Sequence, residues 1–554
     1  RFQGAGAYLR MLSDGGAGTV GNALVLDSTL QLTGGPSTAS QLFLRGAISG
    51  SGGLDVIGGT AVLSGNNSFG GATRVAAGAA FGVAGNALAG TSGIQVARGG
   101  ELQIVGSNVV TSLNAPLALG GRLSSSAPDL IVNPLIGLQP GGLYAGPITV
   151  TDEAEILALG GTPAAPVRFI VNGGIDLAGQ SLTLATDGGR SRLQVAAIAG
   201  TGSLTLRPQG GEITTGAVTG ATTVAGRGQA GSATVASLAG DGRVLVDFDS
   251  SFGQLTITGA LAGQRDLDVR RGTLNLGTVT PLSFTGQITL RGDGTLSLGR
   301  ESYLGSASPV LQFDGGGRLV LRDGFGLTRD ITTTGGRGVL ALGGATNTVS
   351  GNITGDGGLS FIGGVITVTG NNSFAGGLAV FNDGAINAAG LPNTTTLRFM
   401  HDGNLGAAGQ GITLGGGLAL PDGYDLSRPL TVVGTAAQLS GSGHHVVSSA
   451  ITGDGRLNLG GAARYVLNGS NTHTGGVALA GQANGQAAVL VIDSDARLGA
   501  ATGVLDIGRT AANNALITLP GTLVAAGHLD IAATRSTRFR DMTVDTQGFD
   551  VVFN

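Results

Sequence analysis

Short runs in which apolar and polar residues alternate recur along the whole chain, and glycine ends most of them. GTVGNALVLDSTLQL (18–32) puts Leu24, Leu26, Leu30 and Leu32 on alternate positions, the period of a half-buried strand. GGELQIVGS (99–107) and GQITLRGDGTLSLG (286–299) follow the same style. No 11-residue window free of glycine sustains the i, i+3, i+4 spacing of an amphipathic helix, and β-branched residues dominate between turns. The pattern predicts an all-β chain of short strands.

One longer pattern occurs three times: ISGSGGLDVIGGTAVLSGNNSFGGATRV (48–75), ITGDGGLSFIGGVITVTGNNSFAGGLAV (353–380) and ITGDGRLNLGGAARYVLNGSNTHTGGVAL (451–479). From the leucine after the Gly-x-Gly block to the second asparagine slot the interval is 13 residues (Leu54 to Asn67), 13 (Leu359 to Asn372) and 14 (Leu457 to Asn471). The Gly-x-Gly turn alone returns in IAGTGSL (198–204), LAGDGRV (238–244) and LRGDGTL (290–296). Irregular spacing between blocks disfavours a propeller or a string of sandwiches. It favours a parallel β-solenoid, in which each coil needs only an inward aliphatic set and a turn. At roughly 20 to 25 residues per coil, the chain makes roughly 22 to 28 coils. The turn positions are Gly50, Gly52, Asn66 and Asn67; Gly355, Gly357, Asn371 and Asn372; and Gly453, Gly455 and Asn471. Glycine supplies positive φ there, and asparagine can turn left-handed or hydrogen-bond between coils. The aromatic slot (Phe69, Phe374, His473) packs beside the turn.

Composition narrows the class. Of 554 residues 106 are glycine, but with no Gly-x-y period and 15 prolines the chain is not collagen. Charged residues at 12% and hydrophobic ones at 41% exclude a disordered chain. Aromatics at 4% predict a thin core of Val, Ile, Leu and Ala with few salt bridges. A net charge of −4 with scattered arginines argues against nucleic acid. Cysteine is absent, as suits a chain exported through an oxidising compartment. No segment is long and apolar enough for a membrane helix, and no signal peptide lies in this numbering. Seven of the prolines fall in 116–166, which reads as an irregular coil or a binding protrusion within one continuous solenoid over 1–554.

SGNNSFGGATRV (64–75), TGNNSFAGGLAV (369–380) and NGSNTHTGGVAL (468–479), each following a Gly-x-Gly-x-Leu block, resemble the β-strand repeat of bacterial autotransporter passenger domains. The resemblance implies a single-stranded, right-handed parallel β-helix, an elongated rod exported through the outer membrane by a C-terminal barrel on the same polypeptide. It also implies a non-enzymatic adhesin at the cell surface, with host-cell or neighbouring-cell components or glycans as partners and no cofactor. The chain has neither barrel nor signal sequence, so the expectation is a processed passenger or a piece of one. A structural fibre subunit, assembling end to end through its terminal coils, is the alternative. A β-helical polysaccharide enzyme is the third reading.

Candidate chemistry is sparse. Arg291-Gly292-Asp293 spells the integrin-read tripeptide, yet stands where other copies carry a plain turn. Gly443-His444-His445, and the pairs Asp247/Asp249 and Asp493/Asp495, resemble parts of a sugar-cleaving site, because residues two apart share one strand face. Arg535, Arg538 and Arg540 form the densest basic group, read as a solvated face or an anionic-glycan contact. Neither a nucleophile motif nor the calcium-binding nonapeptide is matched.

Overall fold

Strand after strand pairs in parallel with the strand one coil earlier and one coil later, and inward positions meet their own kind. Ile94, Leu117, Ile148, Ile175 and Ile198 stand in register through five successive coils, continued by Val218 and Leu238. The step is 20 residues from Ile198 to Val218 and again to Leu238. It lengthens to 31 from Leu117 to Ile148. The computed structural model describes all residues except 5, 12–15, 36–39, 86, 106–110, 127–129, 134–136, 140–141, 161–166, 278–282, 300, 305–309, 323–325, 343–345, 383–393, 483 and 512–513. It is a parallel β-solenoid of about 22 coils. Among the described residues the helical elements are three single 3-10 turns, Glu301–Leu304, Asp402–Leu405 and Asp495–Leu498.

The chain divides into two compact units, one formed mainly by residues 1–287 and the other mainly by 308–554. In the first, a second inward column runs Phe81, Leu102, Leu123, Ile156, Leu184, Leu206. In the second, Ile366, Leu397, Leu418, Leu439, Leu459, Leu479 and Ile507 make the equivalent stack. Parallel strands satisfy the backbone across coils, while the stacked aliphatics are removed from water.

Two expectations about the interior need correction. The core is not purely aliphatic: Phe81, Phe169, Phe248, Phe313, Phe361, Tyr144 and Tyr465 are fully buried. Glycines make room for several of them. A Cβ on Gly253 would come within 2.2 Å of the Phe248 ring, and one on Gly338 within 2.5 Å of Phe313. Salt bridges are not few either. Arg122–Glu155 (2.7 Å), Arg207–Glu155, Arg243–Asp268 and Arg291–Asp314 join adjacent or nearby coils, because parallel register sets outward side chains side by side.

Within 116–166, strands Leu117–Leu119, Arg122–Ser125, Gly142–Tyr144, Ile148–Val150 and Ala154–Leu159 keep coil register. Between the second and third, Leu130–Asn133 and Gly137–Gln139 form an antiparallel pair outside the main sheet. Pro128, Pro134, Pro140, Pro163 and Pro166 lie outside the described residues. Arg509–Ala511 with Asn514–Leu519 makes a second antiparallel excursion, one the sequence pattern does not announce.

Candidate functional site

The repeated block builds a corner, and each recurring position in it has a distinct task. Gly50, Gly355 and Gly453 have φ of 108°, 112° and 105°. A Cβ on them would also meet the carbonyl oxygen of Leu26, Thr333 or Val432 at 2.1, 1.9 and 2.1 Å. Gly52, Gly357 and Gly455 have no such φ. Their hydrogens instead face the backbone of the coil before, where a Cβ would sit 2.1 Å from Ser28 O, 2.5 Å from Gly336 O and 2.6 Å from Val433 N. The first glycine turns the chain and the second lets coils touch.

The asparagines do not turn left-handed. The non-glycine residues with positive φ are Ala178 and Gln547 among the described residues. Asn67, Asn372 and Asn471 instead point inward, each less than a tenth exposed, and each staples three coils. Their Oδ1 accepts the N–H of Ile48 (2.8 Å), Ile353 (2.8 Å) and Ile451 (3.0 Å) in the coil before. Their Nδ2 donates to the carbonyl of Ala87 (2.9 Å), Asn404 (2.6 Å) and Arg497 (2.6 Å) in the coil after. Asn66 and Asn371 are exposed, as is Ser470 in the third copy.

The aromatic slot is buried in all three copies. Phe374 lies under Gly406 and His473 under Gly499, where a Cβ would meet the ring at 2.9 and 2.8 Å. Those glycines close the 3-10 turns Asp402–Leu405 and Asp495–Leu498. Each turn is gripped by a buried arginine that sequence reasoning missed or misread. Arg428 holds Asp402 through Nε and Nη2, both 2.7 Å, and donates to the carbonyls of Gly406 (3.0 Å) and Ala407 (2.8 Å). Arg535 holds Asp495 at 2.7 and 2.9 Å and donates to Gly499 O and Gly503 O at 3.2 Å. Its guanidinium is therefore interior, and only Arg538 and Arg540 of that basic group are exposed. Arg428 keeps the Asp402 carboxyl below its usual pKa, and the Tyr424 hydroxyl at 2.7 Å helps.

The remaining candidates separate. Arg291 is half-buried against Asp314, Gly292 has φ 48°, and Asp293 is exposed. Asp493 pairs with Arg497 at 2.7 Å while Asp495 faces Arg535, and both follow the strand that ends at Ile492, so they share no strand face. Asp249 likewise lies beyond the strand end at Asp247. His444 is exposed, but His445 is wholly buried, its Nδ1 3.3 Å from Tyr424 O and its ring tilted against Tyr465. Among the described residues no three His, Asp or Glu side chains converge as a metal site would need. On the outer face of the first unit, Glu155 accepts from both Arg122 and Arg207 in a groove of about 440 Å³, so these three side chains pair with one another. Among the described residues no helix is long and apolar enough to cross a membrane. No family model, curated protein or solved structure matches the chain.

Proposed function

We propose that this chain is a non-enzymatic adhesin of the autotransporter-passenger kind, exported through the outer membrane. It works at or beyond the bacterial cell surface on components or glycans of host or neighbouring cells. The observation that carries this reading is the division of labour in the coil. The repeated buried polar groups, Asn67, Asn372 and Asn471 with Arg428 and Arg535, are all engaged in joining coil to coil. Recognition then falls to outward side chains and excursions, which can vary without disturbing the ladders. Of the acids that looked paired for catalysis, Asp493 and Asp495 each answer to an arginine instead, and Asp249 lies beyond the strand that carries Asp247, which supports a binding surface over a reaction centre.

The test is binding of the labelled chain to epithelial and bacterial cells. The expected result is saturable binding, competed by unlabelled chain, from a sample that stays unassembled by electron microscopy. Unbranched fibres without saturable binding would replace the adhesin by a structural fibre. Turnover of a polyuronide or another polysaccharide would replace it by an enzyme.

A further inference from the structure

On the outer face of the second unit, Thr396, Gly417, Gln438, Asn458, Ala478 and Asp506 occupy one register column through six successive coils. Gly417 and Ala478 offer little side chain. Beside them the surface is hollowed into a groove of about 560 Å³, lined also by Thr394, Thr435, Ala480 and Leu519. That volume suits a ligand of several rings.

Three buried polar atoms here have no hydrogen-bond partner: Asn458 Oδ1, Arg456 Nε and Asp506 Oδ1. Arg456 and Asn458 line the groove. Asp506, 7% exposed, stands beside Arg456 with Nη1 and Oδ2 3.7 Å apart. Buried donors and acceptors are nearly always satisfied, so two orphans on the wall of one hollow and a third beside them mark a place where something else supplies the partner.

The chemistry of that partner follows from the set. Two acceptors need donors and one N–H needs an acceptor, and a hydroxyl is both. Threonine hydroxyls and the Gln438 amide extend the same polar character along the column. Among the described residues lining the groove Arg456 is the one ionisable side chain, and Asp506 offsets it, which fits a ligand with no net charge. An extended peptide would dock on unpaired strand edges, but the strands here are paired on both sides by neighbouring coils. We propose that this groove binds a neutral polysaccharide chain laid across the coils. The proposal rests on the adhesin reading and names its ligand class and site.

The experiment is surface plasmon resonance of the full chain over immobilised dextran, mannan and galactan, with heparin as the anionic control. Two variants accompany it. Arg456→Lys keeps a cation facing Asp506 and removes the Nε donor; Ala480→Ile fills the hollow with a strand-compatible side chain. Unchanged thermal melting by circular dichroism verifies that each is folded. Saturable binding to at least one neutral glycan, weakened about tenfold or more in both variants, is the expected result. Neutral-glycan binding that neither variant weakens would overturn the site. Binding to heparin alone would overturn the ligand class. Saturable cell binding with no response to the three neutral glycans would overturn this proposal and leave the adhesin reading standing. Failure of both cell and glycan binding would remove both.

Discussion

Asn371 and Asn372 are neighbours of one residue type with opposite placements. Asn372 sits inside and hydrogen-bonds the coils on either side, while Asn371 faces solvent. Replacing Asn372 by alanine leaves the Ile353 N–H and the Asn404 carbonyl without their partner, and unsatisfied buried groups cost about 1 to 3 kcal/mol each. Asn372→Ala is expected to lower the unfolding free energy of the second unit by about 2 to 4 kcal/mol in urea titration. Asn371→Ser, which copies Ser470 of the third repeat, should stay within about 0.5 kcal/mol. Equal effects from the two would sink the staple assignment. The importance of this pair was legible in the sequence, but which asparagine faces inward was not. Alternation assigns faces only inside a strand, and these residues lie in an irregular corner between strands.

At the scale of the element, the corner is a joint between consecutive coils: the aromatic slot of one lies under the 3-10 turn of the next. His473 occupies that slot where the other copies have phenylalanine. Burial, the main cause, holds its pKa below the usual 6.5. The unfolded chain binds a proton near pH 6.5 and the folded chain resists it. The stability His473 contributes is therefore full above that pH and lost as pH falls through 6.5 toward the lowered folded value. His473→Phe should flatten the dependence of second-unit stability between about pH 7 and pH 5. An unchanged slope in that window would place the titrating group elsewhere. The 3-10 turns themselves were not legible. Four residues are too few to show a helical period, and their arginine clamps come 26 and 40 residues later. That distance led Arg535 to be read with its exposed neighbours.

For the whole molecule, cohesion comes from parallel ladders, stacked aliphatics and cross-coil ion pairs. Cysteine is absent, and the described residues hold no cluster that could ligate a metal. Exhaustive chelation is expected to leave the strand circular dichroism and the thermal midpoint unchanged. A fall of more than a few degrees would reveal a cation that staples coils. The two antiparallel excursions show how the same architecture accepts insertions. The chain leaves a coil, pairs with itself and rejoins the register, as between Ser125 and Gly142.

The sequence by itself determined the solenoid. Period-2 runs fix which residues face inward, and a Gly-x-Gly turn at recurring intervals leaves parallel stacking as the way to bury them. It also located the corner, because glycine is needed there for φ and for close approach. Only the tertiary structure decided the rest. It showed which asparagine is a staple, which arginines are interior, that Asp493 and Asp495 part company, and that Asn458 and Arg456 line one hollow with Asp506 beside Arg456. These are relations between residues one or more coils apart. Register across coils depends on the length of every intervening excursion, so they arise only when the whole stack is assembled.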